Sequence, residues 1–218
     1  MIGQKLVKSK FINQLDKNMS QNQDIFLKEF LDAKAILHGH FILSSGLHSD
    51  TYLQCARVLM DGARAQRLCK ALSEKVIERM RENFADIVVS PAMGGIVVGY
   101  EVAKQIGIPA IFCERVDGQF QLRRGFEIPK NARVLVIEDV ITTGKSSLET
   151  FECVQKMGGE IIAEACLVDR SNYEDITERL GVPVISLLKL DVKVFDSKFI
   201  PEELKNILPT KPGSRFIK

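Results

Sequence analysis

The sequence lacks the features typical of membrane-spanning and nucleic-acid-binding proteins. Its 218 residues include 30 Lys and Arg against 28 Asp and Glu, which leaves a formal net charge of only +2. So small a charge gives no electrostatic reason to expect a nucleic acid or an acidic membrane as partner. No apolar run approaches the roughly 18–20 residues needed to cross a bilayer. We therefore expect an ordinary globular protein with small-molecule ligands and no membrane partner.

Cysteine is also scarce, and its spacing is uninformative for redox or metal chemistry. There are five cysteines, widely separated and without a C-x-x-C pair, at Cys55, Cys69, Cys113, Cys153 and Cys166. This pattern argues against a disulfide framework and against a structural zinc site, and it predicts small core residues in a reducing compartment. No apolar stretch follows the early lysines, so we expect no secretory signal and a cytoplasmic location.

Residues 1–22 are polar and weakly basic, and we expect a flexible extension, with Met19 as an alternative start. Residues 23–218 are predicted to form a single domain. A helix is expected from Asp24, which would act as its N-cap. A hairpin is expected within Phe41–Arg57, around the turn at Ser44-Ser45-Gly46.

Beyond this hairpin, short apolar strands alternate with helices. Helices are predicted at Ala63–Asn83, at Gly95–Ile106 and from about Gly144 to Met157. Strands are predicted at Ile87–Val89, Ala110–Cys113, Val134–Ile137, Ile161–Val168 and Pro183–Leu188. The alternation predicts an α/β fold with a mostly parallel sheet and helices on both faces. Ligands of such sheets bind at the carboxyl ends of the strands.

The strongest chemical signal follows the strand Val134–Ile137. Two carboxylates, Glu138 and Asp139, precede a turn rich in Thr, Gly and Ser, after which a helix begins. Free backbone amides at a helix N-terminus attract phosphate, and glycine lets the backbone approach it closely. Adjacent carboxylates can accept hydrogen bonds from sugar hydroxyls or hold Mg²⁺ through water. Together these features point to a sugar that carries a phosphate at one end.

Two other interpretations of this turn stay open. The tripeptide Gly144-Lys145-Ser146 ends like a Walker A loop, but that motif needs a glycine where Asp139 stands. A plain strand–turn–helix with a capping threonine would carry no ligand at all.

The segment Glu138–Ser147 resembles the phosphoribosyl-pyrophosphate (PRPP) signature of type I phosphoribosyltransferases. Further matches narrow the resemblance to orotate phosphoribosyltransferases, and these are Phe41–Ser49, Ser90–Gly95, Glu114-Arg115, Arg123–Phe126, Asp169-Arg170 and Lys211–Ser214. The resemblance covers roughly Asp24 to the C-terminus. It implies a type I phosphoribosyltransferase core with a small hood, formed by about residues 23–60 and the C-terminal segment.

The resemblance implies transfer of the phosphoribosyl group of PRPP to N1 of orotate. The products are orotidine 5′-monophosphate and pyrophosphate, a step in UMP biosynthesis. It also implies Mg²⁺ as cofactor and a homodimer, in which the segment Glu114–Phe126 closes over the neighbouring active site. A transferase for another base, a PRPP-sensing regulator and a structural α/β domain without a site are the alternatives.

The resemblance also implies roles for individual residues. Arg115 and Asp139 would be catalytic, and orotate would meet Thr142, Arg170 and Tyr52. The implied PRPP contacts are Met93, Gly94, Arg115, Glu138, Asp139, Val140, Ile141, Thr142, Thr143, Gly144, Lys145 and Ser146. A strained or cis peptide is expected between Ala92 and Met93.

The chain departs from its relatives where they carry lysine. Ser44 and Gly94 replace lysines found in relatives, and the segment 114–126 contains arginines but no lysine or histidine. Arg115 is expected to stabilise the leaving pyrophosphate, whereas the roles of Arg123 and Arg124 are open. Either His48 or a main-chain contact would replace the lysine at Ser44. The histidines lack the spacing of a metal site, so Mg²⁺ is expected on PRPP oxygens, through water to Glu138 and Asp139.

Overall fold

A computed structural model of the chain describes residues 21–43, 46–81, 84–171 and 173–212. The predicted extension falls outside these ranges up to residue 20, and so do Ser44, Ser45, Asn83 and the tail residues Gly213 and Ser214. The predicted capping by the side chain of Asp24 is likewise not described. Within the described ranges, no helix combines the length and apolar character needed to span a membrane.

Helices and strands alternate along the chain. The helices are α1 (Gln21–Asp32), α2 (Ala56–Leu59), α3 (Gly62–Met80), α4 (Gly94–Ile106), α5 (Lys145–Lys156), α6 (Ile176–Leu180) and α7 (Glu202–Lys205). The strands are β1 (Ile36–Ile42), β2 (His48–Leu53), β3 (Ile87–Pro91), β4 (Ala110–Val116), β5 (Gln119–Leu122), β6 (Arg133–Ile141), β7 (Glu160–Asp169), β8 (Val184–Lys189) and β9 (Val194–Phe195).

The chain forms two compact units, and the larger one spans Cys55–Asp191. It contains a six-stranded sheet in the order β5-β4-β3-β6-β7-β8, parallel except for the antiparallel pair β4–β5. The predicted α/β fold with a mostly parallel sheet is therefore confirmed. In a parallel sheet the carboxyl ends of β3, β6 and β7 lie at one edge, where ligands of this fold class bind.

The central strands are apolar throughout because both faces of the sheet are covered. Alternate residues of a strand point to opposite faces, and β3 shows the consequence. Val88 and Ser90 face Gly99 of α4, whereas Ile87 and Val89 belong to the apolar cluster that includes Phe151 and Val154 of α5. All five cysteines are buried and free, as expected for small core residues.

Local signals fix several helix ends. Asp61 caps α3 by accepting a hydrogen bond from the amide of Arg64 (3.0 Å). Gly107 ends α4 in the left-handed conformation, as glycine commonly does after a helix. Helix α1 begins at Gln21, three residues earlier than predicted.

The smaller unit comprises the described residues within Met1–Gln54 and Val192–Lys218. Its antiparallel sheet has the order β1-β2-β9. Strand β1 begins at Ile36 rather than at Phe41, because the polar sequence His38-Gly39-His40 obscures its apolar alternation. That these segments form a hood stays a prediction.

Candidate active site

A tight turn joins β6 to α5 at the edge where the parallel strands end. Gly144 is the N-cap of α5 and has a left-handed backbone with φ of 72°. The left-handed backbone favours glycine here, and a Cβ on Gly144 would lie 2.9 Å from Cδ2 of Leu180 in α6 and displace it. Thr142, Thr143, Lys145 and Ser146 are exposed around this turn. The first amides of a helix have no intrahelical acceptor, and the turn therefore presents donors to solvent that suit an anion.

The two carboxylates lie inside β6, not after it, because β6 pairs with β7 as far as Ile141 and Asp169. Glu138 is buried and Asp139 is half-buried. Burial raises the pKa of Glu138 well above its usual value, with further contributions from the charges of Asp139 and Glu164. Burial also raises the pKa of Asp139, partly offset by hydrogen bonds, including one from the amide of Val140 (3.0 Å). Carboxylates desolvated in this way gain from a cation or from hydroxyl donors at the same place.

The turn between β3 and α4 approaches this acidic pair directly. The Ala92–Met93 peptide bond is cis, at the position that the resemblance implied. A Cβ on Gly94 would lie 2.7 Å from both carboxylate oxygens of Asp139, so the helix N-terminus meets that carboxylate without an intervening side chain. The side chain of Met93 is 80% exposed. Gly94, which was predicted to contact the pyrophosphate group, therefore lies beside Asp139, which was predicted to contact the ribose.

The pairing of β6 with β7 brings Arg170 to the end of the acidic strand. The Arg170 amide donates a hydrogen bond to the carbonyl of Ile141 (2.9 Å), the residue before Thr142. Arg170 is buried although it is charged. Asp169, also buried, lies 3.6 Å from Nζ of Lys189 and accepts from the amide of Ser171 (2.8 Å). The main chain of Arg170 is therefore bonded next to the Thr-rich turn, and contact of its guanidinium with orotate stays a prediction.

The arginine-bearing segment forms a hairpin of β4 and β5. Arg115 contacts Glu149 of α5, donates to the carbonyl of Gly118 (2.5 Å) and lies 4.3 Å above the centroid of the Phe120 ring. Arg124 forms two hydrogen bonds with Glu114, of 2.7 and 2.9 Å. No ion pair is recorded for Arg123 within the described residues.

Tyr52 lies on β2 in the smaller unit, where its ring centroid is 5.7 Å from that of Phe41. Its assignment to the orotate pocket stays a prediction. Val140 and Ile141 are strand residues, and Ile141 is buried in the apolar cluster beneath α5. Ile141 could therefore contact PRPP only through its main chain, and both assignments stay predictions.

Four residues adjoin the site without a local sequence signal. Nε of Arg179 donates to the carbonyl of Thr143 (2.6 Å), and the Cys55 thiol donates to Asp139. Glu149 pairs with Arg115, and Glu164 is fully buried near Glu138. Each of these contacts joins segments far apart in the chain, so no motif could have indicated them.

A metal cage made by the protein alone is not seen in the part of the chain that is described, since no three His, Cys, Asp or Glu side chains cluster there for that purpose. The acidic pair nevertheless suits a hydrated divalent cation, because both carboxylates are desolvated and Mg²⁺ commonly binds through one or two carboxylates and substrate phosphates.

Comparison with known proteins settles the family. Residues 59–195 match the family model described as "Phosphoribosyl transferase domain". The chain is 50% identical over 194 residues to an orotate phosphoribosyltransferase of Sphingopyxis alaskensis, covering 89% of this chain and 97% of the relative. It belongs to the orotate phosphoribosyltransferases.

Two further relatives agree with this assignment. An orotate phosphoribosyltransferase of Erythrobacter litoralis is 51% identical over 189 residues, which are 87% of this chain and 96% of the relative. The crystal structure of orotate phosphoribosyltransferase from Aeropyrum pernix matches with a TM-score of 0.62 and 27% identity, covering 75% of this chain and 92% of that one. Within the orotate phosphoribosyltransferase family, the turn at Thr142–Gly144 and the acidic pair therefore lie at the sheet edge expected for a substrate site.

Proposed function

We propose that this orotate phosphoribosyltransferase transfers the phosphoribosyl group of PRPP to N1 of orotate. The bond between ribose C1 and the pyrophosphate oxygen breaks, and a bond from C1 to N1 forms. N1 loses its proton, and the products are orotidine 5′-monophosphate and pyrophosphate. The reaction needs no protein nucleophile.

The observation that carries this proposal is the position of Arg170. Its amide donates to the carbonyl of Ile141 next to Thr142, its side chain is buried, and its charge acts on the Cys55 thiol that bonds Asp139, which supports a guanidinium near the acidic pair. A guanidinium can bind a carboxylate or the edge of a pyrimidine through two parallel hydrogen bonds. A base that carries a carboxylate is thus matched to this position, next to the turn that suits a phosphate.

The turn between β6 and α5 is the proposed site for the 5′-phosphate of PRPP. Its amides and the hydroxyls of Thr142, Thr143 and Ser146 are available as donors, and Lys145 adds a positive charge. The favourable end of the helix dipole points in the same direction. Binding the phosphate here fixes one end of the sugar.

Glu138 and Asp139 are proposed to accept hydrogen bonds from the ribose hydroxyls. In that position they also stabilise positive charge at C1, which by analogy with glycosyl transfer develops oxocarbenium character. Mg²⁺, held by PRPP oxygens and through water by these two carboxylates, would neutralise charge on the leaving pyrophosphate. The main chain of Met93 and Gly94 is proposed to bind that pyrophosphate, and Gly94 lies directly against the Asp139 carboxylate.

Arg115 is proposed to stabilise the leaving group as its negative charge grows. Such groups lower the barrier when they are oriented before the reaction begins. We further propose a homodimer, in which the β4–β5 hairpin acts at the neighbouring site and excludes water that would hydrolyse PRPP. A cytoplasmic location and dependence on Mg²⁺ complete the proposal.

A panel of bases tests the substrate assignment. Purified protein with PRPP and Mg²⁺ is offered orotate, uracil, adenine or hypoxanthine, and pyrophosphate release is measured. We expect release with orotate alone, while release with a purine instead would contradict the proposal. If PRPP binds without any turnover and a duplex DNA probe shifts on a gel at physiological salt, the chain is a regulator instead.

A further inference from the structure

An ion pair between β4 and α5 is not explained by the proposed reaction. Arg115 comes from β4, and Glu149 lies one helical turn after Lys145, the first residue of α5. One Nη of Arg115 donates to Glu149, and the other donates to the carbonyl of Gly118 (2.5 Å). The ring of Phe120 lies against the guanidinium at 4.3 Å. The guanidinium is thus held from three sides, and only one of them, Glu149, lies outside the hairpin.

The contribution of this ion pair to folding stability does not explain why it is present. The side chains of Arg115 and Glu149 are 30% and 26% exposed, and ion pairs so accessible to water contribute little to folding. Glu149 also has a second cation within reach, Nζ of Lys145 at 3.9 Å, yet its close contact is with Arg115. The pair therefore joins the hairpin to the helix that carries the Thr-rich turn.

A second arginine, Arg124, forms an ion pair that stays within the segment Glu114–Phe126. Arg124 binds both oxygens of Glu114, and both residues belong to the hairpin segment itself. That pair shapes the hairpin but fixes nothing relative to α5. The contact between Arg115 and Glu149 differs because it crosses from the hairpin to the substrate-binding helix.

We propose that Glu149 is a positioning residue, which holds Arg115 of the hairpin against α5 of its own subunit, so that pyrophosphate at the neighbouring site meets a guanidinium already oriented. This inference rests on the proposed function. A free arginine side chain samples many rotamers, and ordering it during the reaction costs entropy; the pair makes that ordering part of the folded protein. Glu149 itself does not touch the substrate.

A competing role for Glu149, in which it draws Arg115 away from pyrophosphate, predicts a change of activity with the opposite sign. If Glu149 merely competed with pyrophosphate for Arg115, removing its charge would strengthen PRPP binding and raise activity. If it positions Arg115, removing its charge lowers activity through Arg115 alone. The sign of the effect and its dependence on Arg115 therefore separate the two roles.

The test is a double-mutant cycle with Glu149→Gln, Arg115→Ala and the double variant. We expect Glu149→Gln to lower kcat/KM for PRPP roughly 10-fold, as misplacement of a catalytic group can. Arg115→Ala should lower it about 100-fold, in the range seen when one charge-stabilising donor is removed. The double variant should be no worse than Arg115→Ala, and Glu149→Asp should restore part of the loss.

Glu152→Gln is the matched control, because Glu152 is an exposed residue of the same helix and loses the same charge. Its kinetics should equal those of the unmodified protein, and all variants should melt at similar temperatures. An unchanged or higher activity for Glu149→Gln, or losses that multiply in the double variant, would overturn the inference.

Calorimetric titration with PRPP and Mg²⁺ applies the same double-mutant cycle to the affinity for PRPP instead of to turnover. This arm separates the inference from the proposed function, since it needs no orotate turnover. If the unmodified protein binds PRPP but does not consume orotate, the substrate assignment fails, while the same non-additivity in PRPP affinity would still support positioning by Glu149. Additive losses of affinity would reject it.

Discussion

Gly94 and Asp139 come so close that a Cβ on the glycine would lie 2.7 Å from both carboxylate oxygens. The N-terminus of α4 and the acidic strand β6 therefore share one small volume. Any side chain at position 94 must push the Asp139 carboxylate aside. A lysine at this position, which the resemblance implied for relatives, could be accommodated only with a different placement of that carboxylate.

Gly94→Ala should impair catalysis far more than folding. The atoms displaced belong to the end of a flexible side chain, so the fold can adjust, but Asp139 then no longer faces the sugar. We expect kcat/KM to fall at least about 10-fold, as displacement of a positioned group can cause. Steady-state kinetics and thermal melting of the variant measure the two effects.

The control is Gly62→Ala, at the start of α3, where an added Cβ meets nothing within 4 Å. It should leave both activity and melting temperature nearly unchanged. A Gly94→Ala variant with full activity would show that Asp139 does not need its present position.

Arg179→Ala should weaken PRPP binding without removing any expected substrate contact. Nε of Arg179 donates to the carbonyl of Thr143, and this bond holds the turn against α6. Its loss should raise the KM for PRPP several-fold while kcat at saturation changes less, since a looser turn mainly costs ground-state binding. Initial rates at varied PRPP give both constants.

Arg133→Ala serves for comparison, since Arg133 pairs with Asp86 at the other end of β6. It should reduce stability slightly and leave the KM for PRPP unchanged. Equal KM values for the Arg179→Ala variant and the unmodified protein would show that the turn holds its shape without this bond.

Arg170→Ala should reduce orotate turnover much more than PRPP affinity. Arg170 directly follows β7, and its amide donates to the carbonyl of Ile141 next to Thr142, where a base rather than the phosphate is expected. Arg170→Lys keeps the charge but not the paired donors, and we expect it to recover only part of the activity. Parallel kinetics and PRPP titrations measure the two effects, and equal losses in both would remove Arg170 from the orotate site.

Glu164 should make the protein less stable as the pH rises. It is fully buried, and burial raises its pKa to about 8 despite an opposing hydrogen-bond contribution from Ser147. The folded chain therefore keeps a proton that the unfolded chain releases at about pH 4.3. Stability from the neutral form is complete below that pH and is lost as the pH rises toward 8, by up to about 1.4 kcal/mol per pH unit.

Glu164→Gln removes this ionisation while keeping the shape of the side chain. Urea unfolding at pH 5, 7 and 8.5 should show the variant gaining stability relative to the unmodified protein as the pH increases. Glu152→Gln, at an exposed position, should show no such trend. A constant difference between Glu164→Gln and the unmodified protein across this range would contradict the predicted pKa.

Local sequence patterns predicted the parts of the site that are close together in the chain. One continuous segment contains the strand, the acidic pair, the turn at Gly144 and the helix after it. The spacing of its apolar residues and the residue types in its turn were therefore enough to predict it. The alternation of strands and helices also put Arg170 at a strand end on the same edge as the acidic pair, whereas its role at orotate came from the resemblance. The cis peptide at Ala92–Met93 came from the resemblance, since no physical rule reads a non-proline cis bond from sequence.

Contacts between distant segments could not be predicted. The approach of Gly94 to Asp139 and the pair of Arg115 with Glu149 depend on strand order and register, which short patterns do not specify. The burial of Glu164 could not be predicted for another reason. A charged residue in a strand normally indicates an exposed face, whereas this one is fully buried within β7.

The most direct test of the account is the loss of orotate absorbance when the purified protein is mixed with orotate, PRPP and Mg²⁺, beside a sample without Mg²⁺. We predict a Mg²⁺-dependent loss, with orotidine 5′-monophosphate identified by chromatography in equal amount to the pyrophosphate released. Absence of that product from a folded protein that still binds PRPP would contradict the assignment of orotate as substrate.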